Sequence, residues 1–367
     1  MQPYKPETLP IQNIDKNALF TAVGEANAAL ARYDGLLMGV VNPTVMLSPL
    51  TNQEAVLSSK IEGTQATIEE VLEHEAGQEY DEDKKEDIQE ILNYRRALML
   101  AKNSVVDRPI RLSLIRDMHS ILMESVRGEN KTPGQFRNDQ NWIGAPGCTI
   151  EQATFVPPNP IQLVDHLEAW EIYLGIDDID PIVQTAIVHA QFELLHPFKD
   201  GNGRIGRLLI PLILFSKQWL SSPMFYLSAY LESHREEYYA RLRAISEHGD
   251  WTGWCAFFLE AVIVQAQQNG RTLREIMDLY EATKIQVREI THSPHSPQLI
   301  DALFDRPIFT AADIAKRAHV PKPTVHKLIK SLMKEGLLET VREASGRRPA
   351  ILIFAELLNT LERKQLV

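Results

Sequence analysis

The sequence predicts a mainly α-helical protein with one short β-rich interruption and a C-terminal winged helix. Three observations carry this reading. Apolar residues recur at helical spacing through most of the 367 residues. Between Lys131 and Pro160 that period stops, and Pro133-Gly134, Gly144, Pro146-Gly147 and Pro157-Pro158 punctuate short strand-like pieces. After residue 298 the order becomes helix, turn, helix and a hairpin with a basic tip, which is that of a winged helix.

Taken in order, residues 1–20 are broken by prolines and read as extended chain. A helix is expected from about Phe20 to Leu37, where an Ala-rich stretch favours it. Others are expected from Thr51 to about Ser59 and from about Ala66 to Leu72. The acidic stretch Glu73–Asp87 contains Gly77 and reads as a solvated loop, because a periodic helix resumes at Ile88. Helices continue through Leu112–Val126. In the interruption, Thr154-Phe155-Val156 is the best strand candidate, stopped by two prolines. Helical pattern returns at Pro160–Gly175 and Pro181–Leu195, then at about Gly203–Leu220, Ser233–Ser246 and Trp251–Tyr280. Thr291–Pro297 reads as a linker. Beyond it Thr310–Ala318 reads as a short helix, and Thr324 caps a second that stops near Glu335 before Gly336. Leu337–Arg342 and Ala350–Phe354 are β-prone and flank the turn Ser345–Pro349.

A hydrophobic fraction of 44% with 24% charged residues is that of an ordinary globular protein. The net charge of −11 argues against nucleic-acid binding along the whole surface. Residues 301–350 nevertheless hold ten Lys and Arg against six Asp and Glu, a local +4. That suits contact with a phosphate backbone through Lys322, Lys327 and Arg347-Arg348. Winged helices also dock proteins or dimerise, so DNA, a partner protein and a homodimer all stay open. Cys148 and Cys255 exclude a disulfide-built fold and fit a reducing cytoplasm. The opening residues lack the basic-then-apolar pattern of a signal peptide. The longest apolar run, Leu208–Phe215, is short of the ~20 residues that span a bilayer. A soluble cytoplasmic protein with no membrane segment is expected.

Chemistry concentrates in His196-Pro-Phe-Lys-Asp-Gly-Asn-Gly-Arg-Ile-Gly-Arg207. Gly201-Asn202-Gly203 precedes an apolar helix, so backbone N–H groups can converge on an anion at the positive end of that helix. Arg204 and Arg207 lie about one turn apart and can face the same anion. Asp200 can hold a Mg²⁺ that bridges phosphates. His196 is the one side chain of the segment suited to taking a proton near neutral pH. No Gly-Lys-Ser/Thr follows, so this is not a Walker loop.

His-x-Phe-x-Asp/Glu-Gly-Asn-Gly-Arg-x-x-Arg is the signature of Fic proteins, and His196–Arg207 resembles it without departure. The resemblance extends to Pro133-Gly-Gln-Phe-Arg137, the Thr154–Pro158 flap, Tyr226–Tyr230 and Tyr238-Tyr239. It implies a Fic helical core with a small β-hairpin flap, and transfer of AMP from ATP to Ser, Thr or Tyr hydroxyls of a target protein or of the chain itself. In that reading His196 deprotonates the hydroxyl and Asp200 holds Mg²⁺. Gly201, Asn202, Gly203 and Arg204, with Ile205 and Gly206, form the nucleotide-binding segment, and Arg207 grips the γ-phosphate. The flap, with Phe155 and Val156 beside the nucleotide, takes the target as an added strand. Tyr238 and Tyr239 either wall the adenine side or belong to the core. The implied division is an N-terminal helical region (1–95), the Fic core (96–265), a helix and linker (266–298) and the winged helix (299–367).

Ser58-Ser-Lys-Ile-Glu-Gly63 is similar to the family's inhibitory motif, so Glu62 is expected to pair with Arg207 and keep it from the γ-phosphate. Removal of AMP is an alternative, with Glu62 orienting water, and so is a DNA-binding regulator with a vestigial core. Glu193-Leu-Leu-His196 and Glu289-Ile-Thr-His292 have the Glu-x-x-His spacing of di-iron bundles. That rival leaves the phosphate loop unexplained. His119 and His189 read as ordinary helix histidines.

Overall fold

The computed structural model describes residues 2–124, 131–145 and 147–362. The last two residues of the expected Leu112–Val126 helix, Ser125 and Val126, and Pro146, lie outside the described residues. In chain order the helices are α1 (Lys16–Met38), α2 (Pro43–Met46), α3 (Ser48–Ile61), α4 (Ile68–Glu75), α5 (Glu82–Ser104), α6 (Leu112–Leu122), α7 (Pro160–Gly175) and α8 (Pro181–Leu195). Then come α9 (Asn202–Ser216), α10 (Ser228–Ser233), α11 (Arg235–His248), α12 (Trp251–Thr291) and α13 (Ser296–Asp305). The last part adds β1 (Ile308–Phe309), α14 (Ala311–Arg317), α15 (Lys322–Lys334), β2 (Glu339–Arg342), β3 (Ile351–Ile353) and α16 (Ala355–Glu362). No helix among the described residues is long and apolar enough to cross a membrane.

The chain forms two compact units, one of residues 1–35, 57–64 and 89–267, the other of residues 36–56, 65–88 and 268–367. In the first, α8 is the central rod. Asp180 caps it by accepting from the Ile182 and Val183 N–H groups, and Pro181 occupies its first turn. Of its 15 residues 13 are buried, as expected of a helix apolar on every side. The indoles of Trp170 and Trp254, themselves buried, donate to the Val188 and Ala186 carbonyls of α8. The helix ends at His196, whose backbone is left-handed (φ 47°, ψ 60°). A non-glycine residue there carries strain of roughly 1–2 kcal/mol, and the chain turns sharply into the loop that leads to α9. The β-rich interruption is a narrow hairpin whose arms meet at one bridge, Ile143 with Phe155.

The second unit contains the winged helix. Its sheet has the order β1-β3-β2, all antiparallel, with Phe309 opposite Leu352 and Thr340 opposite the same residue on the other side. α15 turns Val325, Leu328, Ile329 and Leu332 inward, while Lys322, His326, Lys327 and Lys330 are exposed. Pro321, not Thr324, stands at its N-terminus, because Pro323 is accommodated in the first turn, where no N–H is needed.

Several boundaries differ from the sequence expectation for identifiable reasons. α1 starts before Phe20 because the Asp15 carboxylate accepts from the Asn17 and Ala18 N–H groups. α12 runs on past Tyr280 because Ile276, Thr283 and Val287 continue its buried stripe among charged neighbours. The expected solvated loop Glu73–Asp87 is mostly helical: its start closes α4, its end opens α5, and Thr67 with Glu70 forms a capping box. Glu79 pairs with Arg348 at 2.9 Å and Gln78 accepts from Arg342 at 2.6 Å, so this acidic stretch lies against the wing.

Candidate active site

The loop between α8 and α9 is built by side chains that hold its backbone. Asn202 accepts from the Phe198 N–H and donates back to the Phe198 carbonyl, so its side chain closes the loop and only its main chain is left for a ligand. His119, expected to be an ordinary helix histidine, lies beneath the loop. Its Nδ1 accepts from the Gly134 N–H, which assigns the proton to Nε2, and that nitrogen donates to the Asp200 carbonyl. The ring stacks on Phe198 at 3.7 Å between centroids. Burial brings its pKa down to about 4, so it is neutral at pH 7. Arg137 is buried and donates to four carbonyls: His196, Leu195, Pro158 and Asp139. It therefore ties the end of α8 to the base of the hairpin.

His196 faces the Glu193 carbonyl through Nδ1 at 3.4 Å. A carbonyl only accepts, so Nδ1 carries the proton and Nε2 is the basic nitrogen. Burial lowers its pKa to about 4, against the opposing pull of the Glu193 carbonyl, Glu62 and Asp200. The imidazole is thus an unprotonated acceptor at neutral pH.

Glycine is required where the chain turns and where α9 approaches α3. Gly201 has φ 75°, a conformation few side chains tolerate. A Cβ on Gly203 would lie 2.1 Å from Glu62 Oε1 and 2.9 Å from Arg207 Nη1. Next to it the two arginines separate. Arg204, buried, donates to Glu90 at 3.2 Å and lies 3.7 Å from Asp200. Arg207, also buried, donates from Nε to Ser58 Oγ at 2.8 Å, and from Nη2 to the Ser58 carbonyl at 2.8 Å and to Glu62 Oε1 at 2.7 Å. Expected to face one anion, the two guanidinium groups are held by different carboxylates.

Ser58 and Glu62 are four residues apart, so one turn at the end of α3 presents both to Arg207. Gly63 follows with φ 106° and turns the chain away. Burial alone would raise the Glu62 carboxyl; Arg207, then Arg204 and His196, hold it below the usual range. Arg207 is kept charged because Glu62 outweighs its burial.

These groups share a cavity of about 550 Å³ lined by Glu62, Glu193, His196, Gly203 and Arg207, with Phe155, Tyr238 and Tyr239 on its walls. Tyr238 is both core and wall: it is fully buried and its O–H donates to His189 Nε2, whose Nδ1–H donates to the Gly206 carbonyl. Tyr239 is partly exposed. Val156 does not line the cavity. Successive residues of a strand face opposite sides, and Val156 is buried with its carbonyl accepting from Tyr4. Ile205 is core as well. Asp200 is half exposed and accepts the Gly201 N–H through Oδ1. Among the described residues no three His, Cys, Asp or Glu side chains form a metal cage. A single half-exposed carboxylate such as that of Asp200 suits an ion that brings most of its own ligands.

Residues 20–103 match the Fic/DOC family N-terminal model and residues 109–214 the Fic/DOC family model. The chain belongs to the Fic/DOC family. In this Fic protein residues 297–349 also match the MarR family. A probable protein adenylyltransferase of Aquifex aeolicus is 28% identical over 209 residues, 55% of this chain and 57% of its own length. A protein adenylyltransferase, fic-1, of Caenorhabditis elegans is 33% identical over 120 residues, 32% of this chain and 20% of its own. The Fic protein thus spans little more than half, or far less, of the curated relatives it matches. A Fic family protein from Desulfovibrio desulfuricans shares the fold over 96% of this chain and 98% of its own, at 19% identity and TM-score 0.56. Fic-1 from C. elegans does so over 68% and 70%, at 21% identity and TM-score 0.53.

Sequence reasoning passed over several residues of this site. Arg137 stood inside a quoted motif without a role, and Glu90 carried no signal at all. Arg243 and Leu242, which line the cavity with Tyr239 and Ser246, were legible as a one-sided stripe on α11.

Proposed function

We propose that this Fic protein transfers AMP from ATP to a hydroxyl of a target protein. The observation that carries the reading is the meeting, in one cavity, of an unprotonated His196 with the glycine-lined start of α9 and Arg207. His196 Nε2 would take the proton of the incoming hydroxyl. The freed oxygen would bond to the α-phosphorus as the bond to the β-phosphate oxygen breaks, and pyrophosphate would leave. Main-chain N–H groups of Gly201, Asn202 and Gly203 would cradle the phosphates at the helix N-terminus. Asp200 would hold Mg²⁺, which would supply positive charge to offset that of the phosphates.

Glu62 is the brake in this reading. It occupies Arg207, the group that would otherwise fix the γ-phosphate and with it the alignment of the α-phosphate. Removal of AMP would use the same cavity, with the ionised Glu62, which lines it together with His196, orienting the attacking water. The two free cysteines fit the reducing cytoplasm, and the lysines of α15 would serve DNA or a partner protein. Incubation of parent and Glu62→Gly protein with labelled ATP and Mg²⁺, followed by mass spectrometry of labelled proteins, tests the reading. AMP on Ser, Thr or Tyr supports it; no label from either protein rejects it.

A further inference from the structure

Glu193 stands on α8 one turn before His196, and its side chain lines the cavity beside Arg207. Its carbonyl orients His196, but its carboxyl has no part in the steps above. Oε1 is sealed from solvent and no described residue hydrogen-bonds to it. The carboxyl presses on Gly206, where a Cβ would come within 2.2 Å of Oε1. The neighbouring cation, Arg207, already gives Nε to Ser58 Oγ and Nη2 to the Ser58 carbonyl and Glu62. An ionised Glu193 would be a second carboxylate at one guanidinium, with a sealed oxygen left unpaired. That environment favours the neutral acid.

We propose that Glu193 is a nucleotide-binding residue, acting as a neutral carboxylic acid that donates its O–H to the phosphate held by Arg207. The inference rests on the AMP-transfer reading of the cavity. A neutral carboxyl has a donor to offer a phosphate; a carboxylate has none and repels it. Burial, opposed by Arg207 and helped by Glu62, pushes Glu193 up to about 8. The other groups facing it are Glu62 at the end of α3, His189 and His196 on α8, Arg207 on α9, and Tyr238 and Tyr239 on α11. The carboxylate Glu62 and both histidines are held low and both tyrosines high, so none of them changes charge between pH 7 and 9. A ligand that needs the protonated form binds fully below the pKa of Glu193 and loses affinity as pH rises through it.

The test is calorimetric titration of the full chain with ATP and Mg²⁺ from pH 7 to 9.5, for the Glu62→Gly protein, in which Arg207 is free and which serves as the parent of this comparison, and for the same protein carrying Glu193→Gln, with adenosine as a ligand lacking phosphate. The parent should lose ATP affinity above pH 8, by at most about tenfold per pH unit for one proton. The Glu193→Gln protein keeps the shape and a donor, so its affinity should stay level, as should adenosine binding by both. The parent alone should also take up a proton on binding ATP at pH 8.5, seen as a binding heat that changes with the buffer's ionisation heat. A parent that shows neither the alkaline loss nor proton uptake overturns the role of Glu193 while leaving AMP transfer standing. No ATP binding by the parent at any pH overturns both.

Discussion

Arg207 and Glu62 meet at 2.7 Å, and the same guanidinium is fastened at two further points to Ser58. Arg207 is therefore held at Nε and Nη2 by one helical turn of its own chain. Glu62→Gly should free it for the γ-phosphate and raise AMP transfer, seen first as self-modification. The double variant Glu62→Gly, Arg207→Ala should lose the gain. Without ATP, Glu62→Gly should unfold about 1–2 kcal/mol more easily, less than the roughly 3–5 kcal/mol for a buried pair with no other partner, because Ser58 still holds Arg207. Equal labelling by parent and Glu62→Gly would return Glu62 to a purely structural role.

His196→Ala should lower AMP transfer by about 10²–10⁴ with ATP affinity little changed. In the proposed reaction the histidine would act on the hydroxyl, not on the nucleotide. Single-turnover rates and a separate binding titration check both halves. Self-modification above a tenth of the parent rate would rule the base out.

Asp200→Ala should need far more Mg²⁺ for the same rate. In the proposed site its half-exposed carboxylate would be the protein's ligand, with the others coming from phosphate and water. A Mg²⁺ titration that superimposes on the parent's counts against the assignment.

His119 and His189 are fully buried, with pKa values brought down by burial to about 4 and about 3. Unfolded, both titrate near 6.5. Between pH 6.5 and 4 the unfolded chain binds more protons, so this stability is complete above pH 6.5 and is lost as pH falls. Each histidine contributes a slope of up to about 1.4 kcal/mol per pH unit. His119→Gln should flatten the fall measured by urea unfolding across that window. It should also slow AMP transfer, because the loop loses its support at Asp200. An unchanged pH slope in His119→Gln would show that the ring is not held neutral.

Much of this protein was legible before any coordinates. The helical period, the caps and the proline punctuation identify a helical protein with a β interruption, because these are local properties of backbone and side chain. The segment His196–Arg207 and the Ser58–Glu62 turn are also local: residues a few positions apart carry their chemistry wherever the chain places them. Even the winged helix follows from short-range order, with α14, α15 and the two strands read nearly in place.

Tertiary structure decided what depends on groups far apart in the chain. Arg204 turns to Glu90 and Arg207 to Glu62 because helices remote in sequence bring those carboxylates to α9. The acidic residues near Glu79 lie against the wing through Arg348, which composition alone reads as solvation. His119, on α6, becomes the support of the Asp200 loop only because Gly134 and Asp200 reach its two nitrogens from opposite sides. Of Phe155 and Val156, expected together beside the nucleotide, only Phe155 lines the cavity, since a strand alternates its faces and only packing says which face meets it. The protonation states of Glu193 and His196 belong to the fold as well. They follow from how much water the packed helices exclude and from which charges end up beside them, and neither quantity is written in the order of the residues.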